Sequence, residues 1–344
     1  MTTEIKRWVT IPDAPAIPGL RIRTYGGPDD IPAMVVLHRA VNLADGNPEV
    51  WTAEELRLQY EEWTNVDPRE DDLLAFVDDQ LVALSRIEWM DSNDGRRFYV
   101  HEGHVHPDWR RLGLGRAMFR RNAQRLTEVA AGQEIDRPRV LVAWAEQGDP
   151  GASALASAEG YERVRVYHLM LRPHMEDILV PPIAEGLEVR PLTHDQLPAF
   201  WDAMTEAFRD HFGGDDSSPA AYRRWSQDPN LDLSLTMAAY DGDEIAGAVM
   251  GYIYPEENEE HGYQRGWTDP VFVRRPWRRR GLASALIGRT LVALRDRGMT
   301  AAQLGVDSEN PNEALTLYER HRFEVQRSTT EWHRAFEVSA RSSA

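Results

Sequence analysis

Short apolar runs broken by acidic turns set the pattern of the chain. Leu73 to Val77 run into Asp78-Asp79, and Leu81 to Leu84 follow at once. Apolar runs of this length around a tight polar turn predict a β-hairpin. Leu235 to Tyr240, Asp241-Gly242-Asp243 and Ile245 to Tyr254 repeat the pattern later. A helical period appears at Ala283, Ile287, Leu291 and Leu294, which places one apolar stripe on a helix. Gly115, Phe119, Ala123 and Leu126 stand 168 positions earlier with the same spacing. Further strands are predicted at Leu20 to Arg23, Leu187 to Arg190, Val140 to Ala143 and Ala302 to Val306, and further helices around Ile31 to Val41 and Leu197 to Phe208. The fold class is mixed α/β.

The helical stripe is one of several matches between the two halves. Gly19-Leu20-Arg21-Ile22-Arg23 is answered by Gly186-Leu187-Glu188-Val189-Arg190, Ile31-Pro32-Ala33 by Leu197-Pro198-Ala199, and Gly160-Tyr161 by Arg322-Phe323. Val105 to Gly115 answers Val273 to Ala283. Four matches in the same order at offsets of 162 to 168 indicate a tandem duplication, since solenoid repeats are far shorter. Pro173, Pro181 and Pro182 interrupt regular structure at the joint. The expected domains are therefore 1–172 and 186–344, with 173–185 as a linker.

Length and composition agree with two ordinary cores: 344 residues, 42% of them apolar. The formal charge of −17 disfavours a nucleic-acid or anionic-membrane surface, and no apolar run approaches a membrane span. Cysteine is absent, which removes thiolate metal sites and a cysteine nucleophile and agrees with a reducing compartment. A cytoplasmic protein without a metal is expected.

The candidate chemistry lies where a strand turns into the striped helix. Val271-Phe272-Val273 leads through Arg274 to Arg278-Arg279-Arg280-Gly281-Leu282-Ala283-Ser284. A helix start offers unpaired N–H groups and the positive end of the dipole. Gly281 and Ala283 let oxygens approach that backbone, and the arginines add charge-assisted hydrogen bonds, so the turn suits a pyrophosphate. The first half carries Arg110, Arg111, Gly113, Gly115 and Arg116 at the same place. The P-loop ending Gly-Lys-Ser/Thr and the third glycine of the dinucleotide fingerprint are both missing.

What remains, Arg-x-x-Gly-x-Gly in one copy and Arg-x-x-Gly-x-Ala in the other, resembles the acyl-coenzyme A loop of the GNAT N-acetyltransferase superfamily. The second half adds Asn310, Ala314, Leu317, Tyr318 and Phe323, which resemble the family's second motif, with Arg322 where a glycine is usual. The resemblance implies two tandem GNAT-like domains, each a mixed, mostly antiparallel sheet flanked by helices. It implies acetyl-CoA as co-substrate, held by Val271 to Val273, Arg278 to Ser284 and Asn310 in the second domain. An amine attacks the thioester, a backbone N–H from the Val271–Val273 edge supports the oxyanion, and Tyr318 protonates or hydrogen-bonds the departing thiolate. A tyrosine packed in the core is the structural alternative for Tyr318.

In the first half Ala156 stands where Tyr318 should be and no Asn matches Asn310. The first domain therefore reads as a copy that does not catalyse, with coenzyme A binding through Arg111, Gly113, Gly115 and Arg116 left open. That plan resembles the mycothiol synthase family. The glutamate such enzymes place six residues before the strand-end valine is Trp267 here. Asp269 is the first candidate for the base, with His261, Glu256, Glu257, Asp307 or a water chain as alternatives. Acidic stretches at Glu256 to Glu260 and Asp210 to Asp216 either attract a small cationic amine or are solvated loops. The expected activity is N-acetyl transfer to a small-molecule amine; a non-catalytic acyl-CoA-binding regulator is the alternative.

Overall fold

The computed structural model describes residues 7–63, 65–213, 217–310 and 314–335. Gly214, Asp215 and Asp216 of the acidic stretch, and Pro311, Asn312 and Glu313 of the second motif, lie outside the described residues. The chain forms two compact units, one of residues 1–164 and 329–344, the other of residues 165–328. The division therefore falls inside strands Glu162–Arg172 and Glu324–Ala335 rather than in a loop. Each unit is an α/β layer structure built on a mixed sheet.

In the first unit the strands Trp8–Val9, Leu20–Thr24, Leu73–Val77, Gln80–Asp91 and Arg97–Val105 pair in chain order, all antiparallel. Arg97–Val105 then pairs parallel with Arg139–Glu146, and residues 329–335 close the sheet antiparallel to that strand. Side chains alternate across the sheet with period two. Leu74 meets Ile31, Met34, Leu37 and Val41 of helix Ile31–Asp45 on one face. Ala75 and Val77 meet Leu114, Ala117 and Met118 of helix Leu114–Ala131 on the other.

The second unit repeats this plan. Glu188–Arg190, Met237–Asp241, Glu244–Tyr252 and Arg265–Val273 pair antiparallel; Arg265–Val273 and Ala301–Asp307 pair parallel; and residues 167–172 pair antiparallel with Ala301–Asp307. Helix Leu197–Phe208 buries Leu197, Phe200, Ala203 and Ala207 against Ala248, Met250 and Phe272. Helix Leu282–Asp296 buries Ile287, Leu291 and Leu294 of the predicted stripe against Ala239, Ala246 and Val249, while Ala283, the first residue of the stripe, is half-buried. Residues 173–185, expected as a linker, pack on this helix. Arg289 Nη1 donates to Pro181 O at 2.9 Å, and a Cβ at Gly288 would stand 2.2 Å from Leu179 O. The prolines stop a helix or strand there, but they do not stop burial of Ile178 and Ile183 against the second core. Among the described residues no helix is long and apolar enough to cross a membrane.

Arg322 departs from the expected glycine, and the backbone keeps the glycine conformation regardless. Its φ is +63°, matching +82° at Gly160 in the other copy. Phe323 N–H donates to Tyr318 O at 3.0 Å, so the turn closes as a left-handed cap would. A residue with a Cβ pays roughly 1–2 kcal/mol there, which burial of Phe323 offsets. We therefore expect Arg322→Gly to raise the thermal midpoint by a few degrees, equivalent to up to about 1 kcal/mol. A lowered midpoint in calorimetry would refute this account of the turn.

Candidate active site

Both copies make the same turn at the start of the striped helix. Arg279 and Gly281 have φ of +62° and +75°, and Arg111 and Gly113 have +65° and +94°. The paired left-handed positions, two residues apart, swing the chain from the strand into the helix. Gly281 is the helix cap and no side chain caps it. Ala285 N–H, bonded to Gly281 O at 3.1 Å, closes the first turn, so the amides before it have no intrahelical acceptor. A Cβ at Gly281 would meet nothing within 4 Å. The turn thus opens into space rather than packing shut.

That space is a cleft of about 330 Å³. Val271, Phe272, Val273, Arg278, Arg279, Gly281, Leu282, Ala283, Ser284, Asn310 and Tyr318, all named from sequence, line it. Phe272 contributes main chain only, since its ring packs edge-on against Phe200 in the core. Arg278, besides lining the cleft, is hydrogen-bonded within the protein. Its Nε donates to Val273 O at 2.9 Å, Nη1 to Asp210 at 2.6 Å and Nη2 to Ala207 O at 3.1 Å, so it ties the turn to strand and helix. Arg110 does the same with Val105 O and Asp45 in the first unit. Arg280 is turned away from the cleft, with Nη2 donating to Glu185 O at 2.9 Å. Arg279 is exposed at the cleft mouth, and Ser284 Oγ hydrogen-bonds buried His321 at 2.8 Å.

Asp269 lies just beyond the point where the sheet opens; Tyr318 lines the cleft, Asp269 does not, and the carboxylate charge acts on the phenol through space. The parallel ladder between Arg265–Val273 and Ala301–Asp307 ends at Trp267 and Gln303. Two residues further along each strand, a Cβ at Gly305 would lie 3.4 Å from Asp269 Oδ2, and Gly305 N–H donates to that carboxylate. On the other edge of the strand, Val249 pairs with Val271 and Gly251 with Thr268, so Asp269 and Pro270 together oppose the single residue Met250. This is a β-bulge, and it re-aims Asp269 out of the regular alternation. Arg274 N–H bonds Ala246 O on the paired side, so alternation leaves the N–H groups of Val271 and Val273 facing the opening. Burial pushes the Asp269 carboxyl up to about 6. The same burial, with the Asp269 charge nearby, pushes the Tyr318 phenol well above its ordinary range, so it stays protonated.

The sequence profile of the acetyltransferase (GNAT) family matches residues 37–152 and 198–323. The chain belongs to that family. A mycothiol acetyltransferase from Geodermatophilus obscurus is 30% identical over 312 residues, covering 90% of this chain and 95% of that one. Another from Salinispora arenicola is 33% identical over 234 residues, 67% of this chain and 71% of that one. Among solved structures, a GCN5-related N-acetyltransferase from Sphaerobacter thermophilus superposes with a TM-score of 0.68 at 24% identity, covering 95% of this chain and 97% of the other. A tandem GNAT protein from the clavulanic acid biosynthesis pathway gives 0.66 at 14% identity, covering 92% and 98%. These two structures speak for the fold. The chain is a tandem GNAT N-acetyltransferase, similar to the mycothiol acetyltransferases.

Several alternatives for the GNAT base are engaged elsewhere. Asp307 is ion-paired with Arg165 at 3.0 Å. Glu257, expected as an exposed charge, is buried and accepts hydrogen bonds from Tyr263 and Gln303, both at 2.7 Å; burial raises its pKa. Asp210, also expected to face solvent and a substrate, is held well below the carboxylate range by Arg275 and Arg278. A helix from Pro255 to His261 turns Glu257 inward while Glu256 stays exposed, which the acidic run did not reveal. His261 stacks on Tyr263 at 5.3 Å. His211 lines the cleft, and nothing in its sequence context singled it out. Among the described residues no cluster of three or more His, Asp or Glu side chains could hold a metal ion.

The first unit carries its own cleft, about 480 Å³, lined by Arg111, Gly113, Gly115 and Arg116. Ala156 is buried at the tyrosine position. Tyr161 is no substitute, because its hydroxyl bonds His101 at 2.8 Å.

The raised Asp269 carboxyl has a consequence for stability. Its folded pKa of about 6 exceeds the ordinary value near 3.9, so the folded chain holds an extra proton between those values and loses stability as pH rises through them. Asp269→Asn is expected to raise the thermal midpoint above pH 6 and to leave it unchanged near pH 4. A midpoint difference independent of pH would contradict the assignment.

Proposed function

We propose that the second unit moves an acetyl group from acetyl-CoA to a primary amine of a small molecule, with Asp269 as base and Tyr318 as hydrogen-bond donor to the leaving sulfur. The observation that carries this reading is the cleft that brings Tyr318 beside an uncapped helix start at the opened ladder, with Asp269 near enough for its charge to act on the phenol. The residues present suit the ligand. The amides of Leu282 to Ser284, with Arg279, would hold the diphosphate, and the open side of Gly281 leaves room for it. The N–H groups of Val271 and Val273 are the backbone donors available to the pantetheine and to the developing oxyanion.

The thioester supplies the activated acetyl carbonyl. An alkyl ammonium near 10 and a carboxyl near 6 differ by about 4 units, so full transfer to Asp269 before attack is uphill by roughly 5 kcal/mol. Asp269 therefore takes the proton as the N–C bond forms and the nitrogen acidifies. A phenol near 10 already lies ~1.5 units above a thiol near 8.5, and burial widens the gap. Tyr318 accordingly stabilises the thiolate by a hydrogen bond, and the proton on Asp269 can pass to it afterwards. The likeness to mycothiol acetyltransferases makes their acceptor the first to try in an amine screen. Steering of a cationic amine rests on Glu256 rather than on the buried Glu257.

Three measurements test this reading. Isothermal calorimetry should show acetyl-CoA binding from which Gly281→Glu removes the second unit's share; no heat in the unaltered chain would end the proposal. Tyr318→Phe should lower kcat by about 10²-fold with binding of acetyl-CoA unchanged. Because the base works only when ionised, kcat/KM should rise with pH through about 6, and Asp269→Asn should lower it and flatten that limb. An unaltered limb in the variant would remove Asp269 from the mechanism.

A further inference from the structure

The alanine at 156 predicts an inert first unit, yet the cleft there carries ionisable side chains at strand positions where the second unit is apolar. Glu102 and His104 lie on the strand edge that faces it, beyond the last parallel pair, His101 with Ala143. Arg86 stands directly across from Glu102, with Nε at 2.8 Å and Nη2 at 2.6 Å from Oε2. Its guanidinium stacks over Trp63 at 5.0 Å. The ring of His38, from helix Ile31–Asp45, sits 4.5 Å from that of His104.

At equivalent positions the second unit has Pro270, Phe272 and Met250, the last two in an apolar core. Removing a charge pair and two imidazoles from water gains little stability and is often destabilising compared with apolar packing. An idle copy would lose nothing by adopting the apolar set. The first unit keeps the polar one, and keeps it at the open edge of its own cleft, beside the same left-handed turn and the same arginine tie.

We infer that the first unit is a second acyl-transfer site, in which His104 is the general base for an amine acceptor and Glu102, paired with Arg86, positions it. This rests on acetyl-CoA being the donor for the fold. The amine nitrogen bonds to the carbonyl carbon, the C–S bond breaks, and its electron pair leaves on sulfur. His104 takes the amine proton and returns it to the thiolate, a downhill step because an ordinary imidazolium near 6.5 is already more acidic than a thiol near 8.5 and burial lowers His104 further, so no phenol is needed. Burial lowers the pKa of His104 and of His38, which keeps both neutral at pH 7. The charged groups around His104 are Glu102 and Arg86 from the sheet, Asp45 at the end of the helix and Arg110 in the turn; the carboxylates raise and the guanidiniums lower its pKa.

The test uses the full chain with the second unit disabled by Asp269→Asn and Tyr318→Phe. Thiol release from acetyl-CoA is followed across the amine panel, beside the unaltered protein. Release is expected to persist, to fall as pH drops through the imidazole range, and to decrease about tenfold or more when His104→Gln is added. Acetyl-CoA binding and the thermal midpoint should be retained in that variant. Adding His104→Phe, the side chain the second unit carries, should have the same effect on release. Glu102→Gln should shift the pH profile, which a packing role would not do. Release that vanishes with the second-unit substitutions, or that His104→Gln leaves unchanged, overturns the inference. An unaltered chain that releases no thiol with any amine overturns the acetyl-CoA reading, and this one with it.

Discussion

A parallel ladder that stops early is the feature from which the rest of the site follows. Strands Arg265–Val273 and Ala301–Asp307 share hydrogen bonds only as far as Trp267 and Gln303. Beyond that point the N–H groups of Val271 and Val273 have lost their sheet partner, and buried backbone groups are rarely left unpaired. A ligand with its own amides is the economical partner for such an edge. The bulge at Asp269 and Pro270 lies on the same stretch, so the irregularity that takes Asp269 out of the regular alternation coincides with the open edge. Gly305 on the opposite strand donates its backbone N–H to the Asp269 carboxylate.

The turn into the helix is held by arginine hydrogen bonds within the protein. Arg278 and Arg110 spend their guanidiniums on a strand carbonyl and an aspartate, the latter Asp210 in one unit and Asp45 in the other. These ties fix two left-handed residues that would otherwise be strained, and leave the helix amides pointing outward. The scaffold for an anion is thus the same in both copies. The chemistry placed around it differs: a carboxylate and a phenol in an apolar setting in the second unit, an imidazole beside a charge pair in the first.

Residue order carried a great deal of this. Helix Leu197–Phe208 and the hairpin beginning at Leu73 lie where apolar periodicity places them, because burial of one face is a local demand. The cleft-lining set from Val271 to Ser284 was legible because left-handed turns and helix starts restrict which residues fit. The acidic stretches were misleading. Charge in a run implies solvent, but Glu257 sits on the inward face of a short helix and Asp210 is claimed by arginines distant in sequence.

The duplication, the strand–turn–helix and the identity of the second motif are properties of the sequence by itself, since each depends on neighbours a few residues apart or on a constant offset. What only the tertiary structure decided is which polar groups face one another. Asp269 acquires its raised pKa from burial, which outweighs the hydrogen bond from Gly305, and His104 comes near Glu102, Arg86 and His38 only after three elements pack together. Desolvation and charge proximity arise from distances through space, and no spacing along the chain specifies them.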